Sequence, residues 1–317
     1  MIHLTQKTLS AVVACYRDEG NIQALYRRLT QTLQSLTPHY EIIYVNDASP
    51  DGSEGILRAI AAADPRLTVM NQSRNFGAQA AFTAGMVQAM GDAVILLDGD
   101  LQDPPELIAA FVKKWQEGYD VVYGIRRRRE RSMGKCNMWL YHQFYRLFHR
   151  LSYVSMPLDA GEFSLMDRRV VERINALPER DRLLRGLRAW VGFRQTGVEY
   201  VRPERYAGPS TNSFFRNLQW AKKAIFSFSY VPLEWVSLLA GCSVLLSCIG
   251  ILFYFITFFY YPDVPRGLTT IFILALFLGS IQLFCMSIIA EYVGRIFEET
   301  KQRPRYITRE ILNDHRA

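Results

Sequence analysis

Asp92-Ala-Val-Ile-Leu-Leu97-Asp98-Gly99-Asp100-Leu101-Gln102-Asp103-Pro104-Pro105 sets a run of aliphatic residues directly before two carboxylates. An apolar run of that length, without alternation, reads as a central strand buried on both faces, so the aspartates fall at the carboxyl edge of a sheet. Ligands of open α/β sheets bind at that edge. Carboxylates gathered there are costly unless paired, hydrogen-bonded or bound to a cation, and hard Mg²⁺ or Mn²⁺ takes oxygen ligands while bridging to phosphates. Gly99 lets the backbone turn sharply between them. The same residues also suit a solvated turn capping the helix that follows, and Asp-x-Asp alone does not separate the two readings.

Outward from this segment, β-like and helical stretches alternate. Strands are expected at Leu9 to Cys15, Glu41 to Asn46, Leu67 to Asn71, Asp92 to Leu97 and Asp120 to Tyr123. Helices are expected near Asn21 to Leu36, Ser53 to Ala63, Gly77 to Met90 and Pro105 to Glu117. The alternation predicts an α/β, doubly wound, mostly parallel sheet. Polar clusters Tyr16-Arg-Asp-Glu-Gly-Asn21, Asp47-Ala-Ser-Pro-Asp-Gly-Ser53 and Asp98-Gly-Asp100 follow the first, second and fourth strands and so share one edge. No Gly-x-Gly-x-x-Gly follows the first strand and no Walker A sequence occurs, which argues against a Rossmann dehydrogenase or a P-loop ATPase. Carboxylates on three loops suit the hydroxyls and base edge of a nucleoside, and a metal at Asp98 and Asp100 suits its diphosphate.

The C-terminal third has a different character. Trp235 to Tyr260 and Leu268 to Ala290 hold no charged residue, and at 26 and 23 residues they would extend ~39 and ~34 Å as helices, enough to cross a hydrocarbon core of roughly 30 Å. They read as two transmembrane helices rather than two buried helices of a soluble domain. The connection Tyr261-Pro-Asp-Val-Pro-Arg-Gly267 holds one basic residue, whereas Lys222, Lys223, Arg295, Lys301, Arg303, Arg305 and Arg309 lie outside the pair. The positive-inside rule then puts both termini in the cytoplasm. Leu9 to Cys15 is too short for a signal-peptide core. The five cysteines show no metal-ligand spacing, and neither disulfides nor zinc are expected. Basic juxtamembrane segments beside anionic headgroups account for the net charge of +7, and no motif points to nucleic acid.

Past the fifth strand, Arg126-Arg-Arg-Arg-Glu-Arg131 with Lys135 suits a phosphate clamp or a basic loop at lipid headgroups, with Arg126 and Arg131 favoured as ligands. The aromatic-rich helix expected over Lys135 to Leu151 suits core packing or contact with the membrane interface. Phe214, Phe215, Leu218, Ala221, Ile225 and Phe226 recur at helical spacing, the pattern of an amphipathic helix on a membrane surface. The resulting domain plan is a catalytic domain over 1–210, an amphipathic juxtamembrane helix over 211–233, a two-helix hairpin over 234–292 and a basic tail over 293–317.

Val45-Asn-Asp-Ala-Ser-Pro-Asp-Gly-Ser53, Arg74-Asn-Phe-Gly77, Leu97-Asp-Gly-Asp-Leu-Gln-Asp-Pro-Pro105 and Leu158-Asp-Ala-Gly161, followed by two spans, resemble family 2 inverting glycosyltransferases of the GT-A fold. The likeness covers nearly the whole chain and is to the polyprenyl-phosphate branch, which includes bactoprenol glucosyl transferases and dolichol-phosphate mannose synthase. It implies that Tyr16, Arg17, Glu19 and Asp47 hold base and ribose. It implies that Asp98 contacts the nucleoside or the metal, that Asp100 binds Mg²⁺ or Mn²⁺ directly, and that Gln102 completes the site. Arg126, Arg131 and Lys135 become candidates for the donor or acceptor phosphates, and Asp159 for a general base or an electrostatic stabiliser, with Glu162 a weaker candidate. Arg205-Tyr-Ala-Gly-Pro-Ser210 is similar to an Arg-x-x-Gly-x-Ser segment in which Arg205 and Ser210 reach the acceptor phosphate, but Thr211-Asn212 departs from the pattern.

The implied reaction is inverting transfer of one sugar from a nucleotide diphosphate to polyprenyl phosphate on the cytoplasmic face of a bacterial inner membrane. The lipid-linked monosaccharide formed would serve cell-surface glycan modification after a separate flippase turns it over. UDP-glucose is the first donor to consider, with GDP-mannose and UDP-aminoarabinose-type donors behind it. A processive polysaccharide synthase usually carries Gln-x-x-Arg-Trp and more spans, both missing here; a non-catalytic nucleotide-binding scaffold is the remaining alternative. Gly241, Gly250 and Gly279 leave self-association through the spans open.

Overall fold

A computed structural model describes residues 6–126, 160–201, 226, 229, 231–260 and 267–316. The chain divides into two units, one made of the N-terminal part together with Gln302–Ala317, the other chiefly of Phe215–Lys301.

The first unit is built on an eight-stranded sheet. In chain order its strands are β1 (Leu9–Cys15), β2 (Tyr40–Asn46), β3 (Leu67–Gln72), β4 (Ala93–Asp98), β5 (Val121–Arg126), β6 (Ala160–Asp167), β7 (Gln195–Tyr200) and β8 (Thr308–Leu312). They lie in the order β7-β5-β6-β4-β1-β2-β3-β8. β1 pairs in parallel with β2 and β4, β2 with β3, and β5 with β7, while β6 and β8 run antiparallel to their neighbours. Every residue of β1, β2 and β3 is buried, as befits strands covered on both faces. This is the mixed, mostly parallel GT-A sheet that the resemblance implies.

Helices supply the two covers. In α1 (Ile22–Leu36), Ile22, Leu25, Leu29, Leu33 and Leu36 recur every three or four residues, forming one apolar stripe that is wholly buried. That stripe, with α2 (Ser53–Ala63) and α4 (Ile108–Gln116), packs on the sheet face bearing Leu9, Ala11 and Val13. The alternate residue Val12 faces α3 (Ala78–Gln88) at Gly85, which puts α3 on the opposite side. A 3₁₀ turn, Pro105–Leu107, leads into α4; α5 (Arg168–Ala176) and α6 (Leu184–Trp190) follow β6. The strands and helices expected up to residue 126 match these elements to within a few residues. No signal pointed to β6, β7 or β8. Ala160 to Phe163, which follow Asp159 and include the candidate Glu162, open β6.

The second unit holds α7 (Val231–Tyr260) and α8 (Leu268–Thr300). Val231–Gly250 and Leu274–Thr300 are candidate membrane spans, with none of the most apolar window buried in the first and 6% in the second. A core helix of a soluble protein would bury most of that surface. Ser243, Ser247 and Ser280 each donate to the carbonyl four residues earlier at 2.8 Å, so their hydroxyls are satisfied within the helix as an apolar surround requires. At the C-terminal part of α8, the Tyr292 hydroxyl donates to Ser229 O at 2.8 Å and its ring meets Phe226. Apart from Phe226, Ser229 and the start of α7, the expected amphipathic segment 211–233 lies outside the described residues, as does the helix expected over Lys135 to Leu151.

Residues 293–317, expected as a basic tail, finish α8 and then form β8, which pairs with β3 through Asn71 and Glu310. One basic and one acidic side chain of this segment are drawn into the acid–base network around α2, where Glu54 accepts from Arg58 and Arg309 and Glu310 pairs with Arg58. Asn313, left-handed at φ 53, closes the strand: its Nδ2 donates to Ala61 O at 2.7 Å and Leu67 O at 3.0 Å. Asn313→Ala is expected to cost ~2 kcal/mol, from lost hydrogen bonds plus the Cβ strain of the left-handed region. Asn313→Gly relieves the strain and should cost less. Amide hydrogen exchange across 308–312 reads the difference, and equal protection in both variants and the wild type would contradict the assignment.

Candidate active site

Three loops leave the carboxyl ends of β1, β2 and β4, and because these strands are parallel neighbours the loops meet at one edge. After β1, Arg17 is left-handed at φ 61, a conformation that costs a non-glycine residue roughly 1–2 kcal/mol. Its N–H donates to Ser49 Oγ at 2.7 Å, and the Tyr16 N–H donates to Asp18 Oδ2 at 3.0 Å. The Glu19 N–H donates to Asp51 Oδ2 at 3.2 Å while Glu19 Oε2 accepts from the Gly52 N–H at 3.0 Å. The first and second loops are therefore cross-braced. Tyr16 presents an exposed ring with the Arg17 guanidinium 5.5 Å from its centre.

Asp47 shapes the backbone around it. Its two carboxylate oxygens accept from the Phe76 and Gly77 N–H groups, both at 2.8 Å, tying the second loop to the start of α3 where Gly77 takes φ 91. Burial pushes its carboxyl above the usual range, against the pull of those two N–H groups and of Arg74. A carboxylate has about four acceptor positions, so two bonds do not exhaust it.

The Asp-Gly-Asp loop is held from below. The Gly99 N–H donates to Ala14 O at 3.0 Å, and a Cβ at this position would sit 2.7 Å from Asp18 Oδ2, so a larger residue would displace the Asp18 carboxylate. Leu101 is left-handed at φ 57 and buried in the core. The Gln102 N–H donates to Asp100 Oδ1 at 3.1 Å. Two residues past Leu101's bend, Asp103 is completely buried and receives the Tyr200 hydroxyl on Oδ1. The Arg126 Nη2 lies 3.8 Å from its other oxygen, and Arg126 Nε donates to the Tyr200 hydroxyl at 3.3 Å. Burial alone would lower the Arg126 pKa, but Asp103, Tyr200 and Asp98 outweigh it and hold the guanidinium above its ordinary value. Burial and Asp103 push the Tyr200 hydroxyl up, keeping it a donor.

Arg126 also reaches β6. A Cβ on Gly161 would lie 2.6 Å from Arg126 Nη2, so only glycine leaves the guanidinium its place. Beneath, the buried Arg188 donates to Gly161 O at 3.2 Å and stacks over Tyr123, while Gln79 Nε2 donates to Glu162 Oε1 at 3.0 Å.

Of the residues expected at the site, Tyr16, Arg17, Glu19 and Asp47 come together on the first two loops, and Asp98, Asp100, Gln102 and Arg126 around the third. Asp159, Arg131, Lys135, Arg205 and Ser210 lie outside the described residues. Asp103, Tyr200, Asp18 and Arg188 were not singled out; Asp103 stood inside the quoted motif, but nothing in the sequence marks Tyr200 or Arg188. Among the described residues no three His, Cys, Asp or Glu side chains gather as a closed metal cage. Asp98, Asp100 and Gln102 carry oxygen donors on one loop, the ligand type that suits Mg²⁺ or Mn²⁺ sharing its shell with substrate phosphates.

A mostly parallel sheet with acidic loops at one edge and an Asp-Gly-Asp loop at the end of its central strand defines a GT-A glycosyltransferase. Residues 10–174 match the model of Glycosyl transferase family 2, and the chain belongs to that family. It is 40% identical over 303 residues to an uncharacterized glycosyltransferase of Bacillus subtilis, covering 94% of this chain and 92% of that one. It is 37% identical over 322 residues to the SfII prophage-derived bactoprenol glucosyl transferase of Shigella flexneri, covering 98% and 99%. A solved mannosyltransferase from Pyrobaculum calidifontis, in complex with GDP-Man and Mn²⁺, aligns with a TM-score of 0.44 at 14% identity over 91% of this chain and 88% of that chain.

Tyr200→Phe strips the buried Asp103 of its donor and is expected to cost about 1–3 kcal/mol. Asp103→Ala, which also removes the counter-charge of Arg126, should cost more. The two losses should be non-additive in the double variant, because both remove the same contact. Thermal unfolding of the detergent-solubilised protein measures this, and simple additivity would contradict the shared network.

Proposed function

We propose that this membrane-associated glycosyltransferase moves one glucose from UDP-glucose to a polyprenyl phosphate, with inversion at the anomeric carbon. The observation that carries the reading is the Asp98-Gly99-Asp100 loop, fixed at the carboxyl edge beside Arg126, in a chain that also bears two candidate spans. The bactoprenol glucosyl transferases it resembles over nearly their full length favour polyprenyl phosphate as acceptor and glucose as the sugar.

In this reading Tyr16, Arg17, Glu19 and Asp47 bind the nucleoside, and Asp98, Asp100 and Gln102 hold Mg²⁺ or Mn²⁺. When bound, such a cation neutralises charge developing on the leaving diphosphate. Arg126 adds a fixed positive charge at the same edge, with Arg131 and Lys135 as further phosphate ligands. An acceptor phosphate oxygen attacks the anomeric carbon as the bond to the diphosphate breaks, and UDP departs with the bonding electrons. A phosphate monoester has its second pKa near ~6, so the attacking oxygen is largely deprotonated at neutral pH. Asp159 then serves to stabilise positive charge on the sugar more than to remove a proton, while Arg205 and Ser210 hold the acceptor phosphate.

The single basic residue between the spans, against many outside them, supports cytoplasmic termini. The return of β8 to the catalytic sheet supports both ends lying on one side: the chain leaves and re-enters one domain on either side of an even number of crossings. Removal of the lipid-linked sugar to the opposite leaflet falls to a separate flippase.

The test is transfer of labelled sugar from UDP-glucose, GDP-mannose and UDP-aminoarabinose to undecaprenyl phosphate by purified protein with Mg²⁺ or Mn²⁺. Label should pass from UDP-glucose, and Asp100→Ala should reduce turnover by about 100-fold or more. Absence of lipid-borne label from every donor sinks the proposal, and an Asp100→Ala variant of full activity removes the metal role.

A further inference from the structure

β8 is joined to the donor loops by an unbroken chain of hydrogen bonds. At one end Glu310, opposite Asn71 in the β3–β8 register, accepts from Asn71 Nδ2 on Oε2 at 3.3 Å. Asn71 Oδ1 accepts from Asn46 Nδ2 at 2.9 Å, with both residues about 1% exposed. Asn46 Oδ1 accepts from the Ser49 N–H at 3.0 Å. Ser49 Oγ then accepts from the Arg17 N–H at 2.7 Å and donates to Asp51 Oδ1 at 2.6 Å, and Asp51 Oδ2 accepts from the Glu19 N–H at 3.2 Å. Five residues thus link the strand that follows α8 to the backbone of Arg17 and Glu19.

The direction of this chain is fixed at both ends. A backbone N–H at Ser49 can only donate, and an ionised Glu310 can only accept. Each amide between them therefore has one orientation that satisfies both neighbours, and flipping either one sets donor against donor or acceptor against acceptor. Glu310 is kept ionised by Arg58, which pairs with it and holds its carboxyl below the usual range, aided by Asn71. At the far end the chain is needed. Arg17 and Ala48 are both left-handed non-glycine residues, at φ 61 and φ 50, and such conformations persist only where their surroundings over-determine them.

We propose that Asn46, Asn71 and Glu310 are positioning residues for the nucleotide-sugar donor, through which the strand returning from the second candidate span sets the conformation of the loops 16–19 and 47–53. None of the three need touch donor. The proposal rests on the reading of those loops as the nucleoside site, and its test separates the two.

Glu310→Ala and Asn71→Leu are compared with Glu54→Ala, which takes a different carboxylate from Arg58 and Arg309 and leaves the chain intact. Kinetics with UDP-glucose and undecaprenyl phosphate should show the donor KM raised about fivefold in Glu310→Ala, the factor equal to ~1 kcal/mol. Asn71→Leu should raise it further, while kcat and the acceptor KM stay near wild type and Glu54→Ala leaves the donor KM unchanged. Hydrogen exchange gives a second readout independent of activity: the Arg17 and Ser49 amides should lose protection in Glu310→Ala and keep it in Glu54→Ala. Unchanged protection at both amides in Glu310→Ala overturns the proposal, as does an unchanged donor KM in an active enzyme. A wild-type protein that transfers no sugar, yet shows the exchange pattern, overturns the reading of the site and leaves the coupling standing.

Discussion

The position of the Asp-Gly-Asp loop depends on one buried carboxylate. Asp103 lies within the core, where an ionised group is tolerated only with partners, and its partners come from two other strand ends: the Tyr200 hydroxyl from β7 and the Arg126 guanidinium from β5. Satisfying it fixes the loop that begins at Asp98. Leu101, turned into the left-handed region and pressed into the core, does the rest, so Asp98 and Asp100 leave β4 in a defined direction. The same guanidinium passes over Gly161 on β6, so a single charge organises three neighbouring strand ends. For the proposed diphosphate donor such a fixed cation is an advantage, because a side chain already held in place loses little freedom when the ligand arrives.

Most of the N-terminal fold was legible because its strands are buried on both faces. Such strands spell continuous runs like Ala-Val-Ile-Leu-Leu97, and the helices between them carry a periodic apolar stripe, as α1 does. The later strands hide for physical reasons. β7, Gln-Thr-Gly-Val-Glu-Tyr200, lies at one margin of the sheet and is mostly half-exposed, and β8, Thr-Arg-Glu-Ile-Leu312, is an edge strand held by side-chain charges; neither has the apolar content of a central strand. The motif residues told the same story at the site. Asp98 and Asp100 announced themselves by their place after a buried strand, whereas Tyr200 acts through a tertiary contact with a residue 97 positions away, which no local pattern encodes. Asp47 and Glu19 show the reverse. Their carboxylates suggested ligand contacts, and each proves also to accept backbone N–H groups that shape the loops.

The two units meet different demands. One packs its apolar residues into a sheet covered on both sides; the other displays them along two long helices in which the Ser243, Ser247 and Ser280 hydroxyls are satisfied by their own backbones. The connection between these solutions is β8, which brings the chain back from α8 into the sheet beside β3. The proposed transfer to a lipid phosphate would gain from this arrangement, since an anchor joined to the domain at both ends restricts its wandering more than a single tether.

In the proposed reaction a sheet edge that takes a nucleotide diphosphate glycosylates a lipid phosphate by one in-line displacement. The mass and anomeric configuration of the lipid product, formed by purified protein from α-linked UDP-glucose and undecaprenyl phosphate, test it most directly. A single hexose joined to the lipid phosphate in the β configuration is expected. An α-linked product, or a polymer in place of the monosaccharide, contradicts it.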